Sequence, residues 1–107
     1  MESSVTVVIV TAPTHDEAER IVTAAVEERL AACGNIVQGV TSIYRWEGSL
    51  QKDSEVLILF KTTRAALPRL MSRVEELHPY DVPEALAVPI TAGLEAYTDW
   101  VAANVHG

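Results

Sequence analysis

The sequence predicts an α+β fold: one antiparallel sheet with two helices on a single face, then an extra C-terminal helix. Three observations predict it. Strand-like and helix-like patterns follow one another in the order β-α-β-β-α-β. Residues 35–63, NIVQGVTSIYRWEGSLQKDSEVLILFKTT, read as one long β-hairpin. Two segments, Val5 to Val10 and Val56 to Phe60, are apolar at successive positions, as strands are when both sides of their sheet are covered. The order is that of two split βαβ units, the ferredoxin-like sandwich.

Each element has its own warrant. Val5 to Val10 is a buried strand ended by Thr11-Ala12-Pro13. Thr14-x-x-Glu17 has the form of a capping box at a helix start. Ala18, Ile21, Val22, Ala25, Val26 and Leu30 then recur at helical spacing. Ala31 to Asn35 closes that helix, with Gly34 or Asn35 as the left-handed cap. The first hairpin arm, Ile36 to Glu47, alternates. Val37, Thr41 and Ile43 point one way, and Val40, Ser42, Tyr44 and Trp46 the other. Glu47-Gly48-Ser49 is the turn, with Gly48 at positive φ. Thr63 reads as a second N-cap, before the stripe Leu67, Leu70, Met71, Val74 and Leu77. Pro68 places the helix start near Leu67. His78-Pro79 ends it. Residues 80–84 form a loop, Ala85 to Ile90 a short strand, and Leu94, Tyr97, Trp100 and Val101 a last amphipathic helix. Val105 to Gly107 are expected to fray.

The chain is one domain, residues 1–107. Two helices cover one face of such a sheet and leave the other bare. Roughly 800 Å² of bare apolar surface corresponds to about 20 kcal/mol of unfavourable hydration. The expected remedy is a closed homo-oligomer with its sheets packed inward. The net charge of −7, with basic residues scattered singly, argues against nucleic acid. It suits cation binding and plain solubility alike. Cys33 is the single cysteine, which excludes an intramolecular disulfide and suits a reducing compartment. The start MESSVTVVIVTAP has no basic region, and its apolar run is too short for a signal peptide or membrane span. The expected setting is the cytoplasm.

Several motifs, taken together, carry a resemblance. They are Leu30-Ala31-Ala32-Cys33 with Asn35-Ile36, Ser42-Ile43-Tyr44-Arg45-Trp46-Glu47-Gly48, Phe60-Lys61-Thr62-Thr63, His78-Pro79-Tyr80-Asp81-Val82-Pro83-Glu84, and Tyr97 with Trp100. In this order and spacing the chain resembles the CutA divalent-cation-tolerance family over nearly its whole length. The resemblance implies a ferredoxin-like protomer, a tight homotrimer joined through sheet edges, heavy-metal tolerance and copper(II) binding, with no ion needed for folding. No catalytic constellation is visible in the residues, and the expectation is a protein that is not an enzyme. Animal members are associated with membrane anchoring of acetylcholinesterase, but no segment here resembles a targeting signal for that role. The chain departs from some members at Thr11, where they carry a cysteine, and at Leu77, where they carry a second histidine.

The candidate metal ligands are His78, Glu84 and Cys33. Imidazole nitrogen, carboxylate oxygen and thiolate sulfur are all donors to copper. Two of them have a plainer reading. Cys33 suits a buried structural position, and His78 suits a helix C-terminus. A catalytic thiolate at Cys33 is a third possibility and requires a base nearby. Tyr44, Trp46, Tyr80, Asp81, Lys61 and Trp100 are candidates for a cleft or a subunit interface, the aromatic ones equally for core. Lys61 and Glu55, on one face of one strand, suggest an interface ion pair or a small anion pocket. His15 and His106 read as exposed and unremarkable. A cleft between subunits also suits a small-molecule sensor or scaffold, like the nitrogen-regulatory signalling trimers. No phosphate-binding glycine loop, paired-histidine zinc motif, Cys-x-x-Cys or nucleophile elbow is present.

Overall fold

Alternating apolar residues pair the strands in the order β2-β3-β1-β4, every pairing antiparallel. The structure is a computed structural model and describes residues 4–106. Its elements are β1 (Val5–Ala12), α1 (His15–Glu27), β2 (Cys33–Trp46), β3 (Ser49–Thr63), α2 (Leu67–Leu77), β4 (Ala85–Pro89) and α3 (Glu95–Ala103). The α+β fold and its four-stranded antiparallel sheet are as expected from the sequence. β1 runs two residues beyond the predicted end, because Thr11 and Ala12 still pair with Leu57 and Val56. Pro13, which lacks an N–H, stops it.

One face of the sheet is closed by helices. Val8, Val10, Val56, Ile58 and Phe60 pack there with Ile21 and Ala25 of α1 and Leu70 and Val74 of α2, all buried. The opposite face is also apolar and stays open. Val7, Ile9, Leu57 and Leu59 are half-buried on it, while Val37, Val88 and Leu86 are 44%, 42% and 59% exposed. Among the described residues, α3 covers its Val5 end, where Val5, Ala32 and Val101 pack with Ile90 and Val105.

The ends of α1 differ in part from expectation. The Thr14 hydroxyl accepts from the Glu17 amide at 3.1 Å, as predicted. The Glu17 carboxylate is taken instead by Arg20, at 2.6 Å. The left-handed cap is neither Gly34 nor Asn35 but Arg29, at φ 58°. Arg29 N–H donates to Val26 and Leu30 N–H to Ala25, which is a Schellman ending without glycine. Gly34 instead lies in β2, where α1 crosses. A Cβ there would sit 2.9 Å from Val22 Cγ1 and 3.2 Å from Phe60 Cδ1.

In the hairpin, Glu47 and Gly48 have φ of 50° and 80°, a two-residue turn of the type that matches strand twist. The predicted alternation fails at one point. Between the pairs Val37–Leu57 and Val40–Glu55, β2 holds one residue too many, and Gly39 takes φ 80°. This bulge puts Val37 on the same face as Val40, Ser42, Tyr44 and Trp46, not with Thr41 and Ile43. Beyond it the hairpin outruns β1 as a two-stranded arm, and the chain measures 44 × 26 × 23 Å.

Two smaller corrections concern α2 and the tail. Ala66, not Thr63, occupies the N-cap of α2. The Thr63 hydroxyl accepts from Ala66 N–H at 3.2 Å and so fixes the preceding turn. The tail is tied down rather than frayed. His106 N–H donates to the Arg29 carbonyl at 2.9 Å, Arg69 donates to the His106 carbonyl, and Val105 packs against the second cluster. Gly107 lies outside the described residues.

Candidate functional site

The loop after α2 is fastened to the sheet by His78. Its backbone N–H donates to Val74 at 2.9 Å. Its ring is buried, with Nε2 2.7 Å from the Thr11 carbonyl. Nδ1 accepts from Tyr80 N–H at 3.1 Å. An acceptor at Nδ1 and a carbonyl at Nε2 together assign the neutral ring, protonated on Nε2. The His78 and Tyr80 rings lie 4.7 Å apart. Thus held, Tyr80 reaches past the end of β1 and donates its hydroxyl to Glu55 Oε2 at 2.8 Å. Glu55 is 9% exposed although it sits at the root of a projecting arm.

A cleft of about 730 Å³ opens between the arm and this loop. The arm supplies Ser42, Tyr44 and Trp46, the sheet supplies Thr11 and Glu55, and the loop supplies Tyr80, Asp81 and Glu84. The bulge at Gly39 turns Ser42 and Tyr44 to the same side as Glu55. Tyr44 donates its hydroxyl to Asp53, its diagonal neighbour across the hairpin. No lysine or arginine is among the lining residues.

The CutA1 profile, described as "CutA1 divalent ion tolerance protein", matches residues 6–104. The chain belongs to this family. It is 54% identical over 98 residues to the divalent-cation tolerance protein CutA of Thermus thermophilus, covering 92% of this chain and 95% of that one. The solved Thermus thermophilus structure superposes with a TM-score of 0.93 at 52% identity, over 95% and 99% of the two chains. The CutA structure from Xylella fastidiosa gives 0.95 at 36% identity, over 97% and 100%. Against the human protein CutA the identity is 44%, and the match covers 92% of this chain but 55% of that one. The chain therefore spans about half the length of its plant and mammalian relatives. The names of CutA relatives include a chloroplastic one from Arabidopsis thaliana and a periplasmic one from Archaeoglobus fulgidus. Among the described residues, no helix is long and apolar enough to cross a membrane.

In this CutA1 chain the predicted residues fall into two groups. Tyr44, Trp46, Tyr80, Asp81 and Glu84 meet in the cleft, and His78 lies behind it. Cys33, Lys61 and Trp100 belong to the other end of the sheet. Cys33 pairs across the ladder with Lys61, and its Sγ lies 3.5 Å from the Tyr97 hydroxyl. Tyr97 stacks on Trp100, ring centroids 5.7 Å apart. Lys61 donates to Asn35 and to the Leu59 carbonyl, while Glu55 is held by Tyr80. Six residues of strand separate Lys61 from Glu55, roughly 20 Å. Lys61 and Glu55 of one chain therefore do not pair with each other. By similar arithmetic Cys33 and His78 of one chain do not reach a common ion.

The sequence reading missed two tyrosine–carboxylate pairs, Tyr80–Glu55 and Tyr44–Asp53. Glu55 carried a signal: it is a lone acid at the edge of an apolar strand. His15, Asp16 and Glu19 were also passed over. Their ligand atoms lie within 4.8 Å of one another in the first turn of α1. They are largely exposed, and His15 is 3.5 Å from Glu19.

All three tyrosines of the CutA1 chain hold their protons above the ordinary range. Burial, then the Glu55 carboxylate, raises Tyr80. The hydrogen bond to Asp53 raises Tyr44. The contact with Cys33 pushes Tyr97 up to about 12. The native protein is thus expected to show its phenolate absorbance rise displaced upward from pH 10, the ordinary tyrosine value. The sign is fixed by linkage. Stability from these protons is whole below the unfolded pKa near 10 and is lost as pH rises through the higher folded values. A native-state titration with a full tyrosine step near pH 10 would contradict the three contacts.

Proposed function

We propose that this CutA1-family chain is a non-enzymatic cytoplasmic protein, a single domain working as a homotrimer. In this reading it binds a divalent metal, copper(II) foremost, and supports tolerance of heavy metals. The observation that carries the metal reading is the cleft. Asp81 and Glu84 of the loop line one space with the nearly buried Glu55, without a ready-made ligand cluster among them, and none of the lining residues is lysine or arginine. Carboxylate oxygens are ligands for divalent ions. His78 joins them as a ligand once Tyr80 N–H releases Nδ1, and otherwise positions the loop. Cys33, at the other end of the sheet, offers a separate soft site. The apolar open face supports the trimer, because a second copy is the available cover. Folding requires no ion in this reading.

Copper(II) titration by calorimetry tests it. Glu84→Gln and His78→Ala are each expected to weaken binding by about tenfold or more, as losses in or beside a ligand set do. Cys33→Ala is expected to leave that affinity intact and to remove any additional soft-ion binding. Unchanged affinity in both cleft variants, or no copper binding below millimolar concentration, would remove these residues from the metal site.

The aromatic wall of the same cleft favours a second reading. Tyr44, Trp46 and Tyr80 suit a carbon-bearing ligand better than a bare ion. A trimeric small-molecule sensor or scaffold, like the nitrogen-regulatory trimers, would use the cleft in this way.

A further inference from the structure

We infer that the cleft recognises a small organic ammonium ion, one protonated amine carried on an apolar body. The inference rests on the cleft being a small-molecule site and is independent of copper binding. Size comes first. A cleft of about 730 Å³ falls in the usual range for small-molecule sites and far exceeds the roughly 30 Å³ share of one water. Charge comes second. Glu55, Asp81 and Glu84 line it without lysine or arginine, so the balancing positive charge has to arrive with the occupant. The wall comes third. Tyr44 and Trp46 are 40% and 50% exposed beside Tyr80. Aromatic faces attract a cation by their quadrupole, most strongly where an apolar body has displaced water.

Glu55 is the anchor. It is nine-tenths buried, and Oε2 already accepts the Tyr80 hydroxyl. Among the described residues no fully buried side-chain oxygen lacks a partner, and Oε1 makes no hydrogen bond. Glu55 lines the cleft, so Oε1 is the acceptor left for an occupant. An ammonium donating to Oε1 would lie beside the Tyr80 ring, with its apolar body toward Tyr44 and Trp46. A hydrated inorganic ion would use the carboxylates and leave the aromatic wall without a role.

Benzylamine and its neutral counterpart, benzyl alcohol, are the probes, titrated calorimetrically into the assembled protein near pH 7. Benzylamine is expected to bind at least about tenfold more tightly than the alcohol. Trp46→Ala and Glu55→Gln are each expected to weaken it by about tenfold. Trp46 is half-exposed, and glutamine keeps the acceptor for Tyr80, so both variants retain the fold. Equal binding of amine and alcohol overturns the inference. So does benzylamine binding unaltered in both variants, or none up to about 10 mM. A neighbouring copy's lysine or arginine seated in the cleft would give that last result. Copper binding without amine binding removes this inference and leaves the metal reading in place.

Discussion

Replacing Leu57 and Leu59 together with aspartate is expected to leave a folded single-chain species at concentrations where the unaltered protein, on the proposed assembly, is expected to sediment as a trimer. Both leucines sit mid-sheet on the open face, Leu57 between Thr11 and Val37, and Leu59 between Ile9 and Asn35. Each is half-buried within one chain, and on the proposed trimer its remaining surface is what another copy would cover. Completing that burial contributes about 1–2 kcal/mol per leucine. An aspartate in the same place would be dehydrated without a partner, at a cost of several kcal/mol. A trimer would bear both effects three times. The helix-covered face is spared, because Ile58 and Phe60 point the other way, so the helical circular dichroism is expected to persist. A trimeric mass for the double variant, or a stable single-chain mass for the unaltered protein at nanomolar concentration, would end the case for inward-packed sheets.

Gly34→Val is expected to cost about 3 kcal/mol of folding stability, read as a lowered denaturation midpoint. The loss follows from how closely α1 crosses β2. The new Cβ would press on both methyls of Val22, at 2.9 and 3.0 Å, and on the Phe60 ring. Val22 is β-branched and has little rotamer freedom in a helix. Phe60 is fully buried and has nowhere to go. The physical claim is steric, so relief on the other side should restore stability. Val22→Ala in the Gly34→Val background is expected to recover at least half of the loss, although Val22→Ala alone destabilises. A single variant that melts like the unaltered protein, or a double variant with no recovery, would show that the contact is looser than drawn.

Local and periodic features of this chain were legible before any coordinates. The Thr14 cap, the position of Pro68, the Gly48 turn and the double-sided apolar strands follow from rules that act within a few residues. The misses share a different cause. Arg29 in the left-handed region is invisible to a reading that looks for glycine, and its conformation is set by the tertiary path from α1 into β2. The alternation of the arm was counted straight through Gly39, and a bulge leaves no mark on the apolar pattern except a glycine. Within the site, the loop motif and the two arm aromatics were found as residues. Their meeting depended on the bulge and on the His78–Thr11 contact, which joins positions 67 residues apart. Cys33 was grouped with His78 on donor chemistry alone, and the ladder separates them. The same ladder explains why Lys61 and Glu55, matched in charge and face, hold other partners.

The extra residue at Gly39 makes the outer hairpin a question of parity rather than of length. Trimming or extending both strands at the Glu47-Gly48 tip by equal numbers would leave every remaining side chain looking where it looks now. Pairing the strands straight through Gly39, with that glycine opposite Glu55, would present Thr41 and Ile43 where Ser42 and Tyr44 stand beside Glu55, whereas removing Gly39 would leave Val37, Val40, Ser42 and Tyr44 alternating on one face. Lineages carrying this scaffold are accordingly free to vary how far the hairpin reaches. They are not free to absorb the extra residue into the ladder, because that one-step slip would exchange the phenol and hydroxyl now facing the carboxylate for a β-branched alcohol and a hydrocarbon.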